Sequence, residues 1–427
     1  MKKLRFILAM LIVGLTSNSL KAQSGWTLQT NPLGTGDPAM LGKVQFVSPT
    51  EGWISVSKGA RLLHTTNAGA NWSVVTMFPN DTVWSFSDPG INLSFINSTT
   101  GWVLKTFGSV FSNSFGAVVY KTTNGGNNWE RNVISQNAGD MGFAIQFIDA
   151  NNGWATVINL NTMIPSLYKT TNGGNNWGPI STVSFAKFCF VDVNNGWAIT
   201  RVLDNMILRT TNGGANWTTQ FIDPTQGDFN AIQFTDLNNG WVVGAGGKIL
   251  KTPNGGTNWN YVTNTGLTTS YNSKAVFFID ANIGWIGTDR DAEAPKVLYT
   301  NNGGISWTVQ NTPISEMRGD DIFSIFFYDA KNGCLVADDG QIAYTTKGGN
   351  PTSVREDYSS LIPNDFQLNQ NYPNPFNPST IIEYAIPQTS FVLLKVYDLL
   401  GQEVATLFYG TKPAGTYRLE WTPLDIN

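Results

Sequence analysis

Ala144-Ile145-Gln146-Phe147-Ile148-Asp149-Ala150-Asn151-Asn152-Gly153-Trp154 opens a unit that closes on Lys169-Thr170-Thr171-Asn172-Gly173-Gly174-Asn175-Asn176-Trp177. Residues 144–149 alternate apolar and polar, as a half-buried strand does. Asn151-Asn152-Gly153 reads as a hairpin turn, since Asn and Gly tolerate positive φ. Residues 154–158 return as a second strand and 166–171 form a third. Asn172-Gly173-Gly174 turns again, and Trp177 begins a fourth. The Asn172 side chain is expected to accept amide hydrogen bonds from two or three residues on. The glycines avoid the steric cost of positive φ, and the Trp covers the hairpin with apolar area.

Both halves recur along the chain. An aromatic, a short polar turn and Gly-Trp occupy residues 46–53, 95–102, 147–154, 190–197, 234–241 and 278–285; a seventh copy at 327–334 ends in Cys334. The Gly-rich turn, as in Asn124-Gly125-Gly126 before Trp129, ends on Trp72, Trp129, Trp177, Trp217, Trp259 and Trp307. A seventh copy, Thr345-Thr346-Lys347-Gly348-Gly349, has no Trp. Residues 24–350 therefore divide into seven units of about 47 residues, a length that suits four-stranded propeller blades. The reading is all-β: a seven-bladed β-propeller over 24–350.

The Gly-rich turn resembles the Asp-box, or bacterial neuraminidase repeat. The pairing of both patterns resembles the photosystem II stability and assembly factor-like family, over about three quarters of the chain. Asn stands in place of the usual Asp at 67, 124, 172, 212, 254 and 302. The turn hydrogen bond survives that change, and the charge does not. Members of that family are thought to offer their client a basic face. This chain is acidic, so the client does not carry over.

The seventh unit lacks its last strand. Ser24-Gly25-Trp26-Thr27-Leu28-Gln29 resembles Ser306-Trp307-Thr308-Val309-Gln310. Residues 25–30 are thus expected to complete the last blade through Trp26 and remove an exposed sheet edge.

Residues 1–22 read as a signal peptide. Lys2, Lys3 and Arg5 precede an apolar stretch at 6–15, and Ala22 suits cleavage. The apolar stretch is too short to span a bilayer. Removal takes four basic residues, leaving 22 basic against 30 acidic. Without a basic cluster, nucleic acid is excluded as a partner. Cys189 and Cys334 lie in different units at apolar positions, and read as buried free thiols.

Function belongs to the loops on the face opposite the stereotyped turns. Thirteen of the 15 tryptophans belong to the lattice, Trp421 lies near the end, and only Trp84 remains, with Phe86 and Asp88 close by. Trp84 and Phe86 are candidate ligand-contacting aromatics, weighed against Trp84 packing its own loop. Asp289, Asp291 and Asp320 are candidate polar contacts. They lack the spacing of a calcium loop, so no metal or cofactor is expected. His64, the only histidine, holds a position filled elsewhere by Lys121, Lys169, Arg209 and Lys251. It reads as a strand residue and not as a base.

Asp-box propellers include sialidases and xyloglucan-cleaving enzymes, so the resemblance also implies a glycoside hydrolase as the alternative. That chemistry needs two carboxylates about 5–10 Å apart across a sugar. Asp88, Asp140, Asp228, Asp289 and Asp320 could supply them. No Arg lies in a recognisable catalytic motif.

Composition shifts after Asn350. Residues 351–364 read as a polar linker. Asn371-Tyr372-Pro373-Asn374-Pro375-Phe376-Asn377-Pro378 follows, then strands at 380–386, 391–398, 404–408 and 416–421. Residues 365–427 closely resemble the type A sorting domain of the type IX (Por) secretion system, a small immunoglobulin-like β-sandwich. The family continues with further strands and a basic, apolar tail, so the domain reads as truncated with an unpaired edge. The resemblance implies a Gram-negative cell and passage through the periplasm. The protein would then be released, or held at the outer surface. The expected protein is a monomeric, non-enzymatic binding module whose partners are the type IX machinery and an extracellular protein or glycan.

Overall fold

The computed structural model describes residues 7–11, 25–34, 40–78, 83–84, 92–109, 114–182, 187–200, 205–225, 227–263, 265, 271–289, 294–314, 321–337, 340–349, 354–359, 365–375, 379–397 and 403–421. The chain divides into two compact units. One is Trp26–Gly349, and the other joins Met1–Gly25 to Asn350–Asn427.

The Trp26–Gly349 unit holds seven antiparallel sheets among the described residues, one per repeat. In the third, Asp140–Phe147, Gly153–Asn159, Ile164–Thr170 and Gly178–Ser181 follow one another in order. The buried apolar residues form one cluster in each seam between successive sheets. A further cluster joins Leu41, Val44 and Phe46 of the first sheet to Val336 and Ile342 of the last, closing the ring. An apolar face on each side of a blade is why the strands are apolar on both faces, as in the fully buried Gly52–Val56.

The two sequence patterns are one packing device. Phe147 of the third blade lies flat on Trp102 of the second (3.6 Å between ring centres), while Trp177 of its own blade meets it edge-on (5.7 Å). Offset stacks and edge contacts are the favoured aromatic geometries. Flat stacks recur as Trp154–Phe190, Trp197–Phe234, Trp241–Phe278 and Trp285–Phe327. The Gly before each Trp is required by this ring: a Cβ on Gly153 would sit 2.6 Å from Phe147. Gly153→Ala should therefore lower stability by about 1–3 kcal/mol, the usual cost of overpacking, read as a lower urea midpoint.

The basic lattice residue lies over the same Trp. Lys169 sits 5.0 Å from the Trp154 ring and Arg209 5.2 Å from Trp197. His64 takes this place on Trp53 by stacking at 3.9 Å, with Nε2 3.2 Å from Glu51 Oε1.

In the Gly-rich turn, the Asn172 carboxamide accepts the Asn176 amide (3.0 Å) and the Thr170 hydroxyl (3.0 Å), while Thr170 Oγ1 accepts the Gly174 amide (3.0 Å). This corrects the expected geometry. The bond reaches four residues on, and Thr170 supplies the second acceptor. The two- and three-residue reach belongs to the other turn, where Asp149 accepts from the Asn151 and Asn152 amides, both at 2.7 Å. Burial pushes the carboxyls of Asp149, Asp192, Asp236 and Asp329 up, but these hydrogen bonds outweigh it and hold them below the ordinary value.

Gly25–Gln29 is hydrogen-bonded to Ile342–Gly349 as the outer strand of the seventh sheet. Trp26 meets Phe327 edge-on at 5.6 Å while Trp285 stacks on its face at 3.4 Å. Trp26 thus occupies the place that Trp177 holds in the third blade. Where Cys334 replaces the stacking Trp, Phe326 lies against Phe46 at 6.1 Å. Both cysteines are free, Cys334 buried and Cys189 only half-buried.

The second unit contains two sheets. One orders Val354–Ser359, Gly415–Trp421, Thr380–Ile386 and Gln367–Leu368; the other orders Ile7–Leu11, Ser390–Tyr397 and Glu403–Lys412. Ile382, Tyr384, Val392, Leu394, Leu419 and Trp421 form its core, as in a sandwich. The linker reading of 351–364 needs correction, because Val354–Ser359 pairs along its whole length with Gly415–Trp421. Ile7–Leu11 pairs antiparallel with Leu393–Tyr397. Among the described residues no helix is long and apolar enough to cross a membrane.

Candidate functional site

The first strand of each blade lines the propeller axis, and its free edge must be satisfied there. Side chains of the preceding blade do this. Gln146 donates through Nε2 to the Phe190 carbonyl (2.8 Å) and accepts the Phe190 amide at Oε1 (2.9 Å). Gln45 does the same to Phe95, and Gln233 to Phe278. Ser94 Oγ accepts the Phe147 amide, and Cys189 Sγ takes the equivalent place beside Phe234. These clamps went unread in the sequence. Their signal was present as Gln-Phe at 45–46, 146–147 and 233–234.

Inside the ring lies an axial channel of about 430 Å³. Lys43, Lys187, Lys274, Cys189, Phe277, Phe323 and Phe326 share its wall with the clamping glutamines, and among the described residues no carboxylate lines it. Lys43 donates to the Leu93 carbonyl at 3.1 Å. Burial lowers Lys43 to about 8, with Cys189 opposing and Lys187 adding to the shift. Burial raises the Cys189 thiol above its ordinary value, so Cys189 is a poor nucleophile.

At the loop end of the channel, Lys274 Nζ lies 3.8 Å from Asp289 and 3.3 Å from Asp321. Asp289 also accepts the Asn272 amide (2.7 Å) and side-chain amide (2.5 Å). Burial nevertheless holds its carboxyl above the usual range. Asp140 is committed to its own loop, accepting from Ser135 Oγ (2.5 Å) and Asn159 Nδ2 (2.6 Å). At Asp228 the backbone carbonyl accepts the Ala245 amide at 2.9 Å.

The backbone of Trp84 pairs with Thr106 as part of Val83–Trp84, an added strand on Gly101–Ser109. Phe86, Asp88, Asp291 and Asp320 lie outside the described residues. Among the described residues no cluster of His, Cys, Asp and Glu could hold a metal ion.

Residues 180–267, from the last strand of the third blade through the fifth, match the family model for the photosynthesis system II assembly factor YCF48. The propeller is similar to YCF48. The solved structure of YCF48 bound to D1 peptide aligns with a TM-score of 0.57 at 17% identity, over 79% of this chain and 97% of that one. YCF48 from Cyanidioschyzon merolae aligns with a TM-score of 0.53 at 19% identity, over 75% and 98%. A GH74 xyloglucanase from Xanthomonas campestris reaches a TM-score of only 0.30 at 11% identity, over 89% and 74%, which carries nothing about shape or activity. No curated protein matches. At these identities the likeness to YCF48 is one of fold, a repeat propeller whose axis and loop face are free to vary.

Proposed function

We propose that this chain is an exported YCF48-like propeller that binds a ligand at its axis and loop face without transforming it. The observation that carries this reading is the axial channel. Much of its polar wall is spent on clamps between blades, and the charged side chains among its described lining residues are lysines. The two carboxylates at its mouth share one lysine. A glycosidase pair needs the sugar between its carboxyls, and here the ammonium of Lys274 fills that place. A relative of this fold holding a peptide, YCF48 bound to D1 peptide, supports a binding role. The N-terminal signal pattern and the Asn371–Pro378 run support delivery through the type IX secretion system to the surface of a Gram-negative cell.

A glycan and peptide array run beside a panel of chromogenic glycosides tests the reading. Binding without turnover is the expected result. Glycoside hydrolysis abolished by Asp289→Asn would establish the hydrolase instead.

A further inference from the structure

We propose that the axial channel takes a flat, uncharged aromatic ligand, seated on a wall built by Phe277, Phe323 and Phe326. This rests on the binding role above and names the ligand class for it.

The residue before the stacking Phe lines the channel at Gln45, Gln146, Cys189 and Gln233. The three glutamines use that position to clamp the next blade through two hydrogen bonds each. Ser94 and Cys189 use it to accept the next blade's amide. The sixth and seventh blades place Phe277 and Phe326 there instead. A phenyl ring has no donor or acceptor of the carboxamide kind, so these two blades forgo the clamp. The seventh reaches the first through Ser324 Oγ, which accepts the Val44 amide at 3.1 Å. What the two rings supply in exchange for the hydrogen bonds is aromatic surface on the channel wall.

That surface is gathered on one side. Phe323, from the same strand as Phe326, joins the pair, and all three rings are only half-buried. Phe277 and Phe326 lie 4.6 Å apart, inclined at 47°. The flat stacks of the seams are inclined by 9° or less. At 47° neither ring covers the face of the other, and a third ring can meet them flat or edge-on, the geometries that aromatic pairs favour. A cavity of about 430 Å³ is of small-ligand size. The glutamine amides are engaged at both ends, so a ligand that needed them would have to open a seam. Recognition therefore falls to the rings. A charged group gains nothing from such a wall and gives up its hydration to reach it.

The test is calorimetric titration of the full chain with phenol and 2-naphthol, each against its saturated counterpart, cyclohexanol and 2-decalol, with benzoate as the charged probe. Both aromatics should bind one to one, at least about threefold tighter than their counterparts, the increment of ring-on-ring contact over burial of area alone. Benzoate should bind no tighter than phenol. Phe277→Gln and Phe326→Gln install the side chain that serves at 45, 146 and 233. Each should hold the urea midpoint of the wild type and weaken the aromatics about tenfold, through lost ring contact and lost apolar area.

Saturated alcohols binding as tightly as the aromatics overturn the proposal, as does benzoate binding tighter than phenol. A lowered midpoint with undiminished binding in the Gln variants also overturns it, since the rings would then serve the fold alone. The matched pairs need no substitution, so they decide even if a variant fails to fold. Array hits without aromatic binding would sink the channel site and leave the binding role standing. Glycoside turnover would sink the binding role whatever the channel holds.

Discussion

Trp26→Ala should lower the stability of the propeller by about 3–5 kcal/mol, and deletion of residues 24–31 should lower it further. Trp26 is 4% exposed and packs in one cluster with Trp285, Ile322, Phe327 and Leu335. Its indole Nε1 donates to Gln310 Oε1 at 3.3 Å, and Gln310 in turn donates to the Gly348 carbonyl at 2.9 Å. Truncation to Ala leaves a cavity against Phe327 and strips a partner from Gln310. Deletion also leaves the edge of Ile342–Gly349 unpaired, an exposed ladder prone to association. Thermal and urea unfolding measure both effects. Trp26→Phe should recover part of the loss, since it restores the edge contact but not the hydrogen bond. A melting temperature unchanged by the deletion would show that the seventh blade does not depend on the start of the chain.

Lys105→Met should stabilise the protein below pH 7 and lose that advantage as the pH rises. Lys105 is fully buried on Gly101–Ser109, and its amine donates to the Val56 carbonyl. Burial, helped by the like charge of Arg61, lowers its pKa from 10.5 to about 7. The unfolded chain therefore binds the extra proton between about 7 and 10.5, and wild-type stability rises with pH across that window. At pH 6 the buried charge costs roughly 5 kcal/mol, from the size of the shift. Methionine removes that cost but orphans the Val56 carbonyl, worth about 1–3 kcal/mol. The net gain at pH 6 is thus a few kcal/mol at most. Near pH 10.5 the variant should be slightly less stable than wild type. Urea midpoints from pH 6 to 10 give both curves. Parallel curves would mean that Lys105 does not titrate in this window. Lys43, with its pKa lowered to about 8, adds a smaller slope of the same sign that the variant retains.

Lys105 also shows what could have been seen earlier. Its position, four residues after the repeat Gly, holds Val56, Val157, Thr200, Thr288 and Ala337 in other blades. Gly244 fills it in the fifth blade, so a lysine there breaks a pattern of small, uncharged residues and was open to reading. The axial lysines were not. Lys43, Lys187 and Lys274 are far apart in the chain and look like ordinary polar positions of alternating strands. They become neighbours only because the ring brings the first strand of every blade to one axis.

The loop candidates fared unevenly for a related reason. Asp289 does reach the channel mouth, where it and Asp321 both lie against Lys274, while Asp320 is outside the described residues. That Asp321 turns toward a lysine in the preceding blade depends on a contact between blades, and no local pattern records it.

The sequence by itself determined the repeat, the places of its two turns, and the missing strand that Trp26 completes. Each is a local requirement of backbone and ring packing, repeated often enough to read. The tertiary structure alone decided how the Gln, Ser and Cys side chains clamp one blade to the next. It also decided that three lysines meet in a channel with no carboxylate among its described lining residues, and that Lys274 meets two acids at its mouth. Those outcomes depend on how the seven sheets close on themselves, because charge and hydrogen bonding at the axis are set by residues from different blades.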